Sequence, residues 1–182
     1  MRSSSAIDRK KTKRVIPRCG MLAFAIGALL LGETSLEAQD SCKPVLDAMN
    51  KVYTTPTHLY NTMDGVSKNE LIYAGGVIYD NLHGKWARSS VTLERVKELE
   101  AKNFQNSKCS CRYLRDESVK GEMAAVYNTR AERTDLQVKS AVQFWISKTT
   151  GLALRQEEDI EGDGVKKHHS TRYEYTNVRP PL

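Results

Sequence analysis

Histidine is the side chain best suited to proton transfer or metal ligation near neutral pH, and this chain has four: His58, His83, His168 and His169. The adjacent pair sits in a β-like segment, where neighbouring side chains point to opposite faces and cannot simply share one ion. Both are expected as surface histidines on an edge strand. An acidic stretch, Asp159, Glu161, Asp163 and Gly164, imitates the first half of a calcium loop. Ser170 occupies the place of the bidentate glutamate, so a hairpin tip is expected instead, with Gly162 and Gly164 at positive φ. The chain has no Gly-x-Ser-x-Gly elbow, phosphate loop, dinucleotide fingerprint or zinc-protease helix. The expectation is a protein that is not an enzyme, with no catalytic residue, no metal site and no cofactor.

Cysteine is the other reactive type. Cys19 lies in the N-terminal segment, and Cys42, Cys109 and Cys111 lie beyond it. In an oxidising compartment three thiols predict one disulfide and one free cysteine. Cys109 and Cys111 are two apart, so on a strand they share a face, and Cys42 can join either of them. Such a bridge ties the first helix to the sheet. The spacing matches neither a zinc site nor a thioredoxin-like pair.

The compartment is read from the N-terminus. Arg2, Arg9, Lys10, Lys11, Lys13, Arg14 and Arg18 precede an apolar run over 21–31, and small residues follow up to Ala38. That order is the pattern of a secretory signal, and the apolar run is short for a membrane span. Residues 1–38 are expected to be a signal peptide, cleaved after Ala38 or kept as an anchor, with residues 39–182 forming a single domain. The chain is then periplasmic or otherwise exported. The whole sequence holds 28 Lys and Arg against 22 Asp and Glu, of which the leader holds 7 and 3, leaving 21 against 19. A nucleic-acid partner therefore has no electrostatic footing.

Beyond the leader, Asp40 or Ser41 can cap a short helix with Pro44 in its first turn and a Val45, Met49, Val52 stripe; Thr54, Thr55 and Pro56 end it. Strands are expected over 57–65, over 70–80 with a bend at Gly75-Gly76, and over 85–90 with Trp86. A second helix is expected over 92–104, with Leu93, Val96 and Leu99 inward and a Glu98–Lys102 pair outside. Five more strands follow, over 109–114, 121–129, 136–147, 152–159 and 165–178, separated by short polar turns. The third of these is the clearest. Leu136, Val138, Val142, Phe144 and Ile146 share one face with Ser140, so one face is buried and the other wet or lining a cavity. Tyr73, Tyr79, Tyr127, Tyr173 and Tyr175 also fall on strands, where tyrosine suits a core or a cavity wall.

The stretch from Trp145 to Glu157, with Thr149-Thr150-Gly151 in its turn, and the stretch from Arg172 to Val178 resemble the closing strands of the periplasmic lipoprotein-localisation carrier superfamily and its short relatives. The resemblance implies an α+β fold: a curved antiparallel sheet forming an unclosed half-barrel, covered on its concave side by about two helices. It also implies that lipid or acyl chains lodge between sheet and helices, so the partners expected are a lipid or an acylated protein. The membrane would be met only transiently or through an uncleaved signal, by a monomer. On this reading Leu136, Val138, Val142, Phe144 and Ile146 are the candidate ligand-binding face. The alternative is a non-catalytic envelope scaffold or protein-interaction domain with a filled core.

Overall fold

The computed structural model describes residues 34–133 and 136–182, without the side chains of residues 34–40 and Lys68. The expected signal peptide lies outside the described residues, apart from the backbone of its last five. Helix α1 runs over Thr34–Thr54. It starts earlier than a cap at Asp40 or Ser41 would allow, because Leu36 to Gln39 are good helix formers. Pro44 is consequently inside the helix, where it has no N–H for the carbonyl four residues back. The stripe is as wide as the helical period predicts: Cys42, Val45, Ala48, Val52 and Tyr53 are buried, and Met49 packs against them. Thr54 Oγ1 donates to the Asn50 carbonyl at 3.2 Å, and Thr57 Oγ1 to that of Val52 at 3.2 Å, which satisfies the helix end.

Nine strands follow: β1 Thr57–Met63, β2 Val66–Ala74, β3 Val77–Leu82, β4 Lys85–Arg88, β5 Lys108–Val119, β6 Glu122–Arg133, β7 Val138–Ser147, β8 Ala153–Gly162 and β9 Val165–Glu174. All pair antiparallel in one curved sheet of order β4-β3-β2-β1-β9-β8-β7-β6-β5. The sheet is an unclosed half-barrel with β4 and β5 as its edges. The residues expected as one bent strand over 70–80 are two strands, because Gly75 and Gly76 take φ of 59° and 78°. Two successive positive φ values make a tight hairpin turn rather than a bend. Asp163 and Gly164 do the same at the β8–β9 tip, at 51° and 74°. The hairpin tip is thus present, but its positive φ values belong to Asp163 and Gly164, while Gly162 is a paired strand residue opposite Val165.

Pairing of β1 with β9 joins the two meanders. It also makes β9 the middle strand, so His168 and His169 are not on an edge. Helix α2, Leu93–Gln105, carries the chain from one edge strand to the other. At 1.5 Å per residue it is about 20 Å long, against roughly 38 Å for nine strands laid flat at 4.8 Å spacing. Its N-cap is Thr92, whose Oγ1 accepts from the Arg95 N–H at 3.2 Å.

Two cores result. The larger lies under the helices and joins α1 and Leu93 to Leu59, Tyr73, Ile78, Val142, Phe144, Ile146 and Tyr173. The smaller lies on the opposite face, where Ala124, Val126 and Trp145 meet Leu114, Val119 and Leu154. Register shifts at Tyr113/Arg115 and Trp145/Ile146 leave Leu114 and Leu154 as the extra residues. Both bulges turn a leucine toward Trp145. The rest of this second face stays wet, with Lys108, Glu132, Lys139, Glu161 and Lys166 directly opposite one another on β5 to β9 in alternating charge.

Candidate functional site

The helix-side face of the sheet changes character along the strands. Near α1 it is apolar. One row further on, Thr171 Oγ1 donates to Asn61 Oδ1 at 2.9 Å, and the Tyr173 hydroxyl to Gln156 Oε1 at 2.8 Å. The next row holds Met63, His169, Glu158, Val142, Thr129 and Cys111 as directly opposite neighbours from β1 to β5. Ionisable and apolar side chains therefore stand side by side under one cover.

Glu158 is the centre of this row. Its side chain is 21 % exposed, and burial raises its carboxyl above the ordinary value despite a supporting Ser140 hydroxyl; Glu100 across the space adds to the rise. His169 Nδ1 stands 4.0 Å from Glu158 Oε2, and burial lowers its imidazole. Glu100 reaches this face from α2 and accepts the Tyr53 hydroxyl of α1. Burial raises its carboxyl also, with the Tyr53 bond opposing. Glu100 as a residue is more than a third exposed, so Glu158 is the stronger case of a carboxyl held out of water.

Helix α2 covers this row thinly. Leu93 is its buried residue, Val96 packs against the core, and Leu99 is 42 % exposed rather than inward. Glu100, seven residues after Leu93, takes the inward position instead, because two helical turns return to the same face. Outside, Arg95 pairs with Glu98 at 3.1 Å in place of the expected Glu98–Lys102 pair. At the far end Asn103 accepts from Arg133 at 2.9 Å.

The structure separates the five candidate residues of the 136–147 segment. Val142, Phe144 and Ile146 are buried at 7 %, 7 % and 6 % exposure in the helix-side core. Val138 is half-buried at the open end of the same face. Leu136 precedes β7 and is 55 % exposed. Across the β7–β8 ladder Val142 faces Glu158 and Phe144 faces Gln156, so the apolar column of β7 has a polar column beside it. That polar column was legible: Gln156, Glu158 and Ile160 alternate in phase, but the segment's acidic composition reads as solvated.

Cys42 and Cys111 form the disulfide, across 69 residues, and Cys109 is the free thiol. Burial raises the Cys109 thiol. The bridge fixes the first half of α1 to the edge strand β5. His168, pointing away from His169, stands 2.8 Å from Asp159 and 2.7 Å from Glu157 on the second face. Hydrogen bonding to Asp159 comes first among the causes that raise it. Among the described residues no group of three His, Cys, Asp or Glu is placed to hold a metal ion, and no helix is long and apolar enough to cross a membrane.

No protein-family model matches this chain, and no curated protein does. Among solved structures, the Mycobacterium tuberculosis lipoprotein LppX is similar to it at TM-score 0.48 and 11 % identity, over 80 % of this chain and 99 % of that one. A DUF1329 family protein from Desulfovibrio piger is similar at TM-score 0.31 and 10 % identity, over 79 % of this chain and 95 % of that one.

Proposed function

We propose that residues 39–182 are an exported domain that binds an amphiphile, a lipid or an acylated protein, between the sheet and α2. The acyl part lies along β7 from Val138 toward Val142, Phe144 and Ile146. The polar end meets Glu158 and His169. One observation carries this reading: an apolar column and a half-buried ionisable column run side by side beneath a helix that buries Leu93 and turns Leu99 to solvent. Apolar area left in water costs about 25 cal/mol per Å², and on this face it is Val138, half-buried at the open end of β7, that leaves such area for an apolar occupant to cover. The disulfide supports export, since such bonds persist in oxidising compartments. The likeness of the closing strands to lipoprotein-localisation carriers points the same way.

The test is titration of the processed protein with a fluorescent fatty acid. Saturable binding is expected, with Phe144→Leu altering the affinity while leaving the fold intact, and Val138→Asp weakening it severely from the half-buried mouth. A folded wild-type protein that takes up no probe contradicts the reading. The envelope scaffold is the second reading, favoured by the packing of Val142, Phe144 and Ile146 directly into the α1 core.

A further inference from the structure

Four side chains form a row across the sheet face that the helices leave open. Trp145, Arg155, Arg172 and Tyr60 are directly opposite neighbours on β7, β8, β9 and β1. The Arg155 guanidinium lies 4.8 Å over the Trp145 ring, and that of Arg172 lies 4.2 Å over the Tyr60 ring. Like charges directly opposite on a ladder repel. Each is offset by the carboxylate two residues along its own strand: Arg155 Nε donates to Glu157 at 2.6 Å, and Arg172 Nε stands 3.5 Å from Glu174. Arg155 is thereby held by stacking and by its Nε hydrogen bond, and Arg172 by stacking and by the nearby charge of Glu174. Among the described residues no acceptor takes their terminal nitrogens, and both side chains are 47 % exposed.

Tyr60, Arg155 and Arg172 line a cleft of about 960 Å³, whose opposite wall is the β5–β6 hairpin tip. From that tip Lys120 donates to Glu174 at 3.3 Å. The volume falls at the upper end of the roughly 300–1,000 Å³ typical of small-molecule sites. We infer that the cleft is a second binding site, independent of the amphiphile site, for a neutral polyhydroxylated ligand, that is, a saccharide.

The charge balance selects this class. Lys120, Arg155 and Arg172 meet four carboxylates, Glu117, Glu122, Glu157 and Glu174, so an anion gains no net attraction. A cation finds each of the two central carboxylates already taken: Glu157 accepts from Arg155, His168 and Ser170, and Glu174 from Tyr60 and Lys120. What remains is a set of guanidinium N–H donors beside the hydroxyls of Tyr60 and Ser170, which donate to Glu174 and Glu157 and can still accept, a set suited to vicinal hydroxyl groups. Leu152 and Leu154 on the same wall offer apolar contact to sugar C–H faces.

The test is isothermal titration of the processed protein with cellotriose, maltotriose and tri-N-acetylchitotriose, with inorganic phosphate alongside. Saturable binding of at least one trisaccharide is expected, nearly unchanged when salt is raised about tenfold, since no net charge is neutralised. Arg172→Lys keeps the charge but loses the planar fork, and should weaken binding about tenfold or more with the melting temperature nearly unchanged. Phe144→Leu should leave saccharide binding untouched. Failure of all three saccharides to bind overturns the inference, as does indifference to Arg172→Lys, or binding of phosphate alone with steep salt dependence.

Discussion

Tyr53 of α1 donates its hydroxyl to the carboxylate of Glu100 on α2, so the well-packed helix holds the thinly packed one. Burial, followed by the neighbouring Glu100, raises the Tyr53 hydroxyl well above its ordinary range, which keeps it a donor at every physiological pH. Tyr53→Phe removes the bond with little change in volume. A hydrogen bond to a charged group contributes about 1.5–3 kcal/mol, and partial exposure of Glu100 argues for the lower end. The expected outcome is a melting temperature lower by roughly 3–6 °C and amide exchange that speeds up in α2 before it does in β7. Unchanged exchange in α2 would show that the bond does not hold the helix.

The Glu158 environment predicts a pH dependence with a definite sign. Its carboxyl is raised from 4.5 in the folded state, so the unfolded chain loses that proton first as pH rises. Native stability therefore falls above pH 4.5 until the folded carboxyl also ionises, and the penalty is then complete. His169, lowered from 6.5, has the opposite sign, costing stability as pH falls below that value. The two are separated by Glu158→Gln. The variant should gain on the wild type in urea midpoint between pH 4.5 and pH 8, and parallel curves would mean that Glu158 is solvated.

How much of this was legible from sequence depended on range. The alternation in 136–147 predicts the helix-side face of β7, because strand periodicity is local, but not that Trp145 and Ser147 bury the other face as well. The role of Glu100 was also local, seven residues from Leu93, but Leu99 masked it, since hydrophobicity alone assigns leucine inward. Other features were not local. His169 occupies a buried row because β9 pairs with β1, more than a hundred residues away, and no pattern in either segment specifies that partner. The bulges at Leu114 and Leu154, which create the second core, arise from register and leave no trace in spacing.

Cysteine pairing gives a stability prediction with an internal control. Bridge Cys42–Cys111 closes a loop of 69 residues, worth about 4 kcal/mol in the chain-entropy model. Cys111→Ser should cost approximately that much, whereas Cys109→Ser should cost less than about 1 kcal/mol. Non-reducing peptide mapping of the processed protein should recover Cys42 joined to Cys111 with Cys109 alkylatable. A Cys42–Cys109 peptide would contradict the pairing.

The central claim is that an amphiphile is received between the sheet and α2. Native mass spectrometry of the protein purified from its own envelope, followed by lipid extraction of the same sample, tests this without choosing a probe in advance. The account predicts an adduct of discrete mass that dissociates as an acyl-containing species and is diminished in Val138→Asp. Protein recovered at its bare mass, with no acyl species in the extract, would contradict it and leave the β7 face as ordinary core.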